Sequence, residues 1–409
     1  MASVTDFHPL APETAECPFP FYEAMHREAP VYAVPGLGFF IVNRYEDVVS
    51  VLRDAKVFSS NSGPSLRVDP DEEVLAIMNE GWMPVNTLLT NDPPEHARYR
   101  SLVNKAFSPR RVQTMEAPIR ALANHLVDSF AADGSVEIVS QFAVPLPLTV
   151  IADALGVPRS NMAAFKRWSD DSVAPLSGFL TRERQLECAR SVVEFQHYFA
   201  ARLEERRSEP RDVILTDLIN ARLDGEEPLD VAEMLSILQQ ILVAGNETTT
   251  NLIASGTMLL VQHPEQLERV LADRSLVPNL VEEALRVESP VQGLFRSATV
   301  DTEVGGVPIP AGSRLMLMYA SANRDEAEFE DSPRFDVCRA NAGGHLAFGR
   351  GVHFCLGAAL ARMEGVIAFE TLLDRLPNMR LAPARSDLTH VPSLILRGLK
   401  ELHVEFDPA

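Results

Sequence analysis

The stretch Phe348-Gly349-Arg350-Gly351-Val352-His353-Phe354-Cys355-Leu356-Gly357 decides how the rest of the chain is read. It sets one cysteine among three glycines and runs straight into a helical pattern from Ala358 to Leu373. A thiolate is a soft, electron-rich ligand, and a helix N-terminus stabilises its negative charge. Gly349 and Gly351 let the backbone turn tightly and aim N–H groups at the sulfur. Gly357 removes a side chain where something flat would lie close to the backbone. No second Cys or His stands at the spacing of a zinc or iron–sulfur site.

A cysteine so placed suits the fifth ligand of a haem iron; the competing reading is a buried free cysteine in a glycine-rich turn. The string Phe-Gly-x-Gly-x-His-x-Cys-x-Gly, followed by Ala359-Leu360-Ala361-Arg362, resembles the haem-binding signature of cytochrome P450. With the further matches below, the resemblance runs from about Pro20 to the C-terminus. It implies a mainly α fold with a small β-rich lobe. Haem b (iron protoporphyrin IX) would lie between a long central helix and the helix behind the cysteine loop. Cys355 would bind the iron, with Phe348, Gly349, His353 and Gly357 around the cofactor. The fold would form one domain over residues 1–409, its β-rich part near 20–60, 291–320 and 379–406.

At 409 residues, length alone allows two or three domains, yet no Ser-, Gly- or Pro-rich linker and no internal repeat divides the chain. A hydrophobic content of 46% is ample for a large core. The formal charge of −20 argues against a nucleic-acid partner or an anionic membrane surface. Residues 1–20 hold no basic segment followed by an apolar run, so no secretory signal is expected. The most apolar long segment, Met234 to Val261, is interrupted by Gln239, Gln240, Asn246 and Glu247, as in a buried helix rather than a membrane span. Four scattered cysteines without a CxxC pair fit a reducing cytoplasm. By resemblance, this is a soluble bacterial type.

Pro20 to Ala29 reads as a helix, Val31–Val34 and Gly38–Val42 as strands around Pro35-Gly36, and Tyr45–Arg53 as an amphipathic helix. Gly63 to Leu89 reads as irregular, broken by Pro64, Pro70, Gly81 and Pro84. Its Leu66, Val68, Met78, Trp82, Met83, Leu88 and Leu89 make it an apolar loop, which in the family closes over the substrate. Arg67 is a candidate partner for a substrate carboxylate. Asn91 to Arg100 opens a helix with Asp92 as N-cap and Pro93 as first residue. His96 and Arg100 are four apart and share a face. They match the family's His-x-x-x-Arg, which holds haem propionates; a solvated pair is the alternative. From Arg110 to Asn220 the pattern is almost all helical. Pro175 to Leu180 interrupts it as the family's mobile lid.

Pro228-Leu229-Asp230 starts the longest helix, with Asp230 as N-cap, Glu233 completing a capping box, and an end near Gln262. In its middle, Leu242 to Thr250 places three hydroxyls and a carboxylate where propensity and burial oppose them, which marks a site. Ala244-Gly245-Asn246-Glu247-Thr248 resembles the family's segment over the distal haem face, with Ala244 and Gly245 beside the cofactor. The resemblance implies that Thr248 hydrogen-bonds dioxygen and its water, and that Glu247 feeds protons toward it. A Thr248 hydroxyl bonded to the carbonyl one turn earlier is the alternative, and both can hold together.

Glu283 and Arg286, on a helix Val277–Glu288, match the family's buried Glu-x-x-Arg pair that braces the cysteine loop, with Arg334 as the expected third member and Arg339 behind it. After Pro290 the chain turns extended. By resemblance Val291, Leu294 and Phe295 approach the substrate and Arg296 reaches a propionate. Val304 to Leu317 reads as a hairpin, and Met379 to Phe406 as strand and turn. The expected apolar lining is Trp82, Met83, Leu88, Phe179, Val243, Val291, Leu294, Phe295 and Ile395.

Together these imply a haem-thiolate monooxygenase that inserts one oxygen atom from O2 into a hydrophobic substrate such as a terpenoid, steroid, fatty acid or aromatic. No flavin or iron–sulfur motif is present, so electrons would come from a ferredoxin and its reductase. Arg98, Lys105, Arg110 and Arg111 would form the basic patch that steers it. A monomer is expected. The rival functions are a peroxide-driven enzyme, which usually lacks the acid–alcohol pair, and a non-catalytic haem sensor.

Overall fold

The structure, a computed structural model, describes residues 3–4, 7–9, 11–61, 63, 71–178, 180–223, 225, 227–382 and 385–408. Phe179, Leu66, Arg67 and Val68 lie outside the described residues. The first helices are α1 (Pro12–Glu16), α2 (Phe19–Glu28), α3 (Tyr45–Arg53), α4 (Glu72–Met78) and α5 (Glu95–Val103). The central ones are α6 (Pro109–Asp128), α7 (Pro145–Leu155), α8 (Met162–Val173), α9 (Arg182–Ser208), α10 (Ile214–Asn220) and α11 (Val231–Gln262). The last are α12 (Pro264–Ala272), α13 (Val277–Glu288), α14 (Tyr319–Ala322) and α15 (Ala358–Arg375).

α11 is the axis of the helical part. Its start is fixed by both halves of a capping box: Glu233 N–H donates to the Asp230 carboxylate, and Asp230 N–H donates to Glu233 Oε2, each at 2.8 Å. At 32 residues and about 1.5 Å per residue it crosses the whole domain. Apolar faces of α6, α7, α13 and α15 surround it in one large core. Contact with α15 is close at Gly256, where a Cβ would stand 2.4 Å from the Phe369 ring. Among the described residues, no helix is long and apolar enough to cross a membrane.

The strands gather in a five-stranded sheet of order β1-β2-β8-β5-β3: β1 is Val31–Ala33, β2 Phe39–Val42, β3 Phe58–Ser59, β5 Leu294–Ala298 and β8 Arg314–Leu317. β2 and β8 run parallel, and the other neighbours antiparallel. A second sheet joins β4 (Ser135–Glu137), β10 (His403–Glu405) and β9 (Arg380–Leu381). The hairpin is shorter than its sequence pattern: only β6 (Thr302–Val304) and β7 (Val307–Ile309) pair across Gly305-Gly306. β8 belongs instead to the large sheet, because Pro310-Ala311-Gly312 turns the chain between β2 and β5.

Two local expectations fail for identifiable reasons. The segment read as irregular contains α4, because Asp71 caps it by accepting from Glu73 N–H at 2.9 Å and Glu72 and Glu73 occupy its first turn. Asp92 does not cap α5, whose N-cap is Pro94. Its carboxylate accepts instead from Ser59 Oγ and from Ser60 N–H, at 2.5 and 2.7 Å, and so ties the α5 entry to β3.

Candidate active site

Cys355 stands two residues before Gly357, the N-cap of α15. Its N–H donates to the Phe348 carbonyl at 2.9 Å and closes the loop, while Gly349 N–H donates to Leu346 O at 2.8 Å. Gly349 and Gly351 take φ of 66° and 70°, the region where a Cβ is strained. Gly351 has a second constraint, since a Cβ there would meet Leu52 O of α3 at 2.4 Å. Burial pushes the Cys355 thiol up, against the pull of the Gly357 N–H and the Arg100 guanidinium. A metal overrides that preference by replacing the proton.

The loop is braced from both sides. Arg362 donates twice to Glu282, at 2.6 and 2.8 Å, and its guanidinium lies 4.6 Å from the centre of the Phe348 ring. Burial would raise the Glu282 carboxyl, but the Arg362 hydrogen bonds, aided by His345, hold it down to about 2. A depressed carboxylate adds stability that is present above its unfolded value, near 4.3, and is lost as pH falls toward about 2. Glu282→Gln is therefore expected to flatten the fall of the melting temperature between about pH 5 and pH 2. An unchanged acid limb would mean that the pair does not stabilise the loop.

Behind it, Arg286 and Glu283 are both fully buried, with paired donors to the carboxylate at 2.8 Å each. Arg286 also donates to the carbonyls of Asn323, Ser332 and Arg334. Asn323 Oδ1 accepts from Leu346 N–H at 2.6 Å, which carries the brace to the cysteine loop. The third side chain is Arg339, whose Nε donates to Glu283 Oε1 at 3.1 Å. Arg334 is not that partner: its side chain is 52% exposed and only its carbonyl takes part. Each candidate lies on a short irregular segment, where no periodicity tells which side chain turns inward.

Four basic side chains gather on one side of the cysteine. His96 and His353 meet in a tilted contact with ring centroids 4.2 Å apart, and His353 Nε2 is 3.0 Å from Ser60 Oγ. Burial, then the charge on Arg296 and the neighbouring His96, hold the His353 imidazole down to about 3. Arg100 donates to Asn104 Oδ1, and Arg296, 5% exposed, donates to the Phe295 carbonyl. Neither guanidinium meets a carboxylate among the described residues, and a buried cation without an anion is costly. The two propionates of a haem would supply that missing charge. Gly357 has nothing within 4 Å of where a Cβ would point, which leaves room for a flat macrocycle. The residues present fit the group.

The second group of candidate residues lies on α11. Ala244 is exposed in the middle of a largely buried helix, so an open space lies beside it. Thr248, one turn on, donates to Ala244 O at 2.6 Å; the back-bonded arrangement is the one observed. Glu247 makes no hydrogen bond or ion pair among the described residues. Burial, and then the negative charge of Asp170 on α8, push its carboxyl up, while Lys166 pulls the other way. Gly245 turns toward α7, where a Cβ would meet Ile151 Cδ1 at 2.7 Å. The missing side chain thus allows close packing of α11 on α7.

The expected substrate lining divides in two. Trp82, Leu88, Val243, Val291 and Leu294 are partly exposed, as residues around an open chamber must be, and Met83 is 50% exposed. Phe295 and Ile395 are not lining: at 1% and 2% exposure they pack in the β-lobe core, with Phe295 edge-on to Phe39 at 5.1 Å. Successive strand residues face opposite ways, so Phe295 cannot share the side of Leu294 and Arg296. Sequence reading also missed the polar groups that hold the 82–89 segment. Ser236 Oγ accepts from Val85 N–H, Gln240 Oε1 from Leu89 N–H, and Gln240 Nε2 donates to Thr87 Oγ1. Gln240 inside an apolar helix was the visible signal.

A cysteine loop at a helix mouth, flanked by two guanidinium groups without a carboxylate, together with a long central helix that carries an acid and a hydroxyl at its middle, fits a haem-thiolate protein. The family model "Cytochrome P450" matches residues 157–378. The 6-deoxyerythronolide B hydroxylase of Saccharopolyspora erythraea is 36% identical over 391 residues, covering 94% of this chain and 95% of that protein. The steroid C26-monooxygenase of Mycobacterium tuberculosis is 35% identical over 388 residues, 95% of this chain and 93% of that one. A solved cytochrome P450 from Chondromyces apiculatus superposes with a TM-score of 0.86 at 41% identity, covering 98% of each chain. This chain belongs to the cytochrome P450 family and is a monooxygenase that binds haem b.

Proposed function

We propose that the protein, acting as one domain over residues 1–409, hydroxylates a bulky hydrophobic substrate held against α11, with electrons from a ferredoxin and its reductase. The observation that carries this reading is the opening at Ala244 and Thr248 with the uncompensated Glu247 carboxyl beside it. Haem ligated by Cys355 supplies oxygen activation, which thiolate donation favours. His96, Arg100, Arg296 and His353 would anchor the propionates, and Phe348 would cover the sulfur side.

The protein's own chemistry is proton handling. A carboxyl whose pKa is raised by burial holds its proton more firmly than a free one and is the kind of group that can act as a proton donor. Asp170 and Lys166, paired at 2.6 Å on half-exposed positions of α8, are the charged groups whose fields reach Glu247, and a proton from solvent would enter on their side. Thr248 would receive the proton at its hydroxyl and keep water ordered over the chamber. Glu247→Gln is expected to slow product formation roughly 100-fold, the low end of what a positioned acid contributes. Thr248→Ala is expected to keep consuming reductant while product per electron pair drops. Full coupling in Thr248→Ala would remove the relay from the account.

Names of relatives support a large apolar substrate: one hydroxylates 6-deoxyerythronolide B and another is a steroid monooxygenase. Leu88, Val243, Val291 and Leu294 offer such a molecule apolar contacts. For the electron donor, the basic patch is smaller than the sequence implied. Arg98 is paired with Glu233 at 2.9 Å, and Arg111 with Asp212. Lys105 and Arg110 stay exposed and would meet an acidic ferredoxin. We read the protein as a cytoplasmic monomer. Turnover with ferredoxin and reductase should exceed turnover with peroxide; the reverse result favours the peroxide-driven reading.

A further inference from the structure

Gln196 lies on α9 and is 3% exposed. Its side-chain amide clasps the backbone of one distant residue on both sides: Trp82 N–H donates to Oε1 at 2.9 Å, and Nε2 donates to Trp82 O at 2.8 Å. A primary amide is the group that accepts and donates in this geometry at once. A carboxylate only accepts, and Asn is one methylene short. The approach is so close that a Cβ on Gly81 would stand 2.2 Å from Gln196 Oε1. Next to it, His197 Nε2 lies 3.1 Å from Glu80 O, and its ring meets the Trp82 indole edge-on at 5.4 Å.

The clasp is one end of a longer attachment. Arg182, at the start of α9, donates to Asp71 and Glu73 of α4 at 2.7 to 3.2 Å. Leu186, Ala189 and Val193 of α9 pack on Ile77 of α4. Residues 71–82 are thus carried on α9, whereas Val85, Thr87 and Leu89 are carried on α11 through Ser236 and Gln240. Gln196 sits where the first set passes into the second. The Trp82 end of this wall is therefore held by the Gln196 amide, at the junction between the part carried on α9 and the part carried on α11.

We propose that Gln196 is a positioning residue that fixes where the Trp82–Leu89 wall stands and thereby determines which ligands the chamber accepts. It acts through Trp82 and touches no reacting atom. The inference rests on the reading, given above, that this segment lines the substrate chamber.

The test uses holoprotein of wild type, Gln196→Ala, Gln196→Glu, Gly81→Ala and the Gln196→Ala/Gly81→Ala double variant. Hydrogen exchange of peptides spanning residues 80–89 reports the clasp without any ligand. Affinities for imidazole and 4-phenylimidazole, read from the haem spectrum, report the wall, because only the aryl group extends away from the iron. Gln196→Ala is expected to lower exchange protection of the segment about tenfold, the scale of losing two partly buried hydrogen bonds. It is expected to shift the 4-phenylimidazole to imidazole affinity ratio by about tenfold while imidazole alone is unchanged. Gly81→Ala should reproduce both effects by displacing Gln196, yet add nothing in the Gln196→Ala background. Gln196→Glu should be intermediate, keeping the bond from Trp82 N–H. Unchanged protection overturns the clasp. Lowered protection with an unchanged affinity ratio overturns the wall, and with it the placement of this segment in the chamber. If Gln196→Ala fails to fold, Gln196→Glu and Gly81→Ala give the same two readouts.

Discussion

Cys355→Ala holoprotein is expected to form no product and to lose the thiolate signature of its haem spectrum, while far-UV circular dichroism stays that of the wild type. The sulfur is the one thiolate the loop presents, and removing it takes away the donation that drives oxygen activation. The fold should survive, because the loop is held by backbone and bracing contacts rather than by the thiol. Cys355 N–H keeps its bond to Phe348 O, Gly351 stays under Leu52, and Arg362 stays on Glu282 and Phe348. Serine at the same position tests ligation more narrowly, since it preserves shape and changes only the donor atom. Product formation at wild-type rate in either variant would show that another group ligates the iron.

Arg286→Ala is expected to have the opposite profile, a failure of folding rather than of chemistry. It would leave the Glu283 carboxylate at 0% exposure with only Arg339 and the Asp336 N–H, and strip donors from three carbonyls. Breaking a buried pair from one side typically costs about 3–5 kcal/mol, a large part of the stability of a whole domain. The expected outcome is little soluble holoprotein, and a lowered denaturation midpoint in what remains. Arg286→Lys should fail nearly as badly, because an ammonium cannot reach the carboxylate and the carbonyls of Asn323, Ser332 and Arg334 together. A stable Arg286→Ala protein would show that the brace is dispensable.

The two variants separate what the sequence made legible from what it hid. Features set by neighbours along the chain could be read directly. The Asp230–Glu233 capping box, the bounds of α3 and α13 and the turn-forming glycines of the cysteine loop follow from residues a few places apart. Thr248 and Glu247 stood out because hydroxyls and a carboxylate in a buried helix contradict local preference. Features set by partners far along the chain could not be read. Asp92 looked like a helix cap because its partners, Ser59 and Ser60, lie more than 30 residues earlier. Arg339 and Arg334 were indistinguishable until the loop carrying them was seen to turn Arg339 onto Glu283. Phe295 and Ile395 resembled lining residues because an apolar residue reads the same in a core and in a chamber wall. Only the strand's alternation and burial assign them to the core. Gln196 gave no local sign, since its value is a contact with a peptide 114 positions away.

The most direct measurement of the central claim is the absorption spectrum of the reduced, carbon monoxide-bound holoprotein. A thiolate from Cys355 opposite carbon monoxide predicts a Soret band displaced strongly to the red of that seen with a histidine-ligated haem, and its loss in Cys355→Ala. A Soret band at the histidine-ligated position in freshly prepared wild type, or a red-shifted band that persists without Cys355, would contradict it.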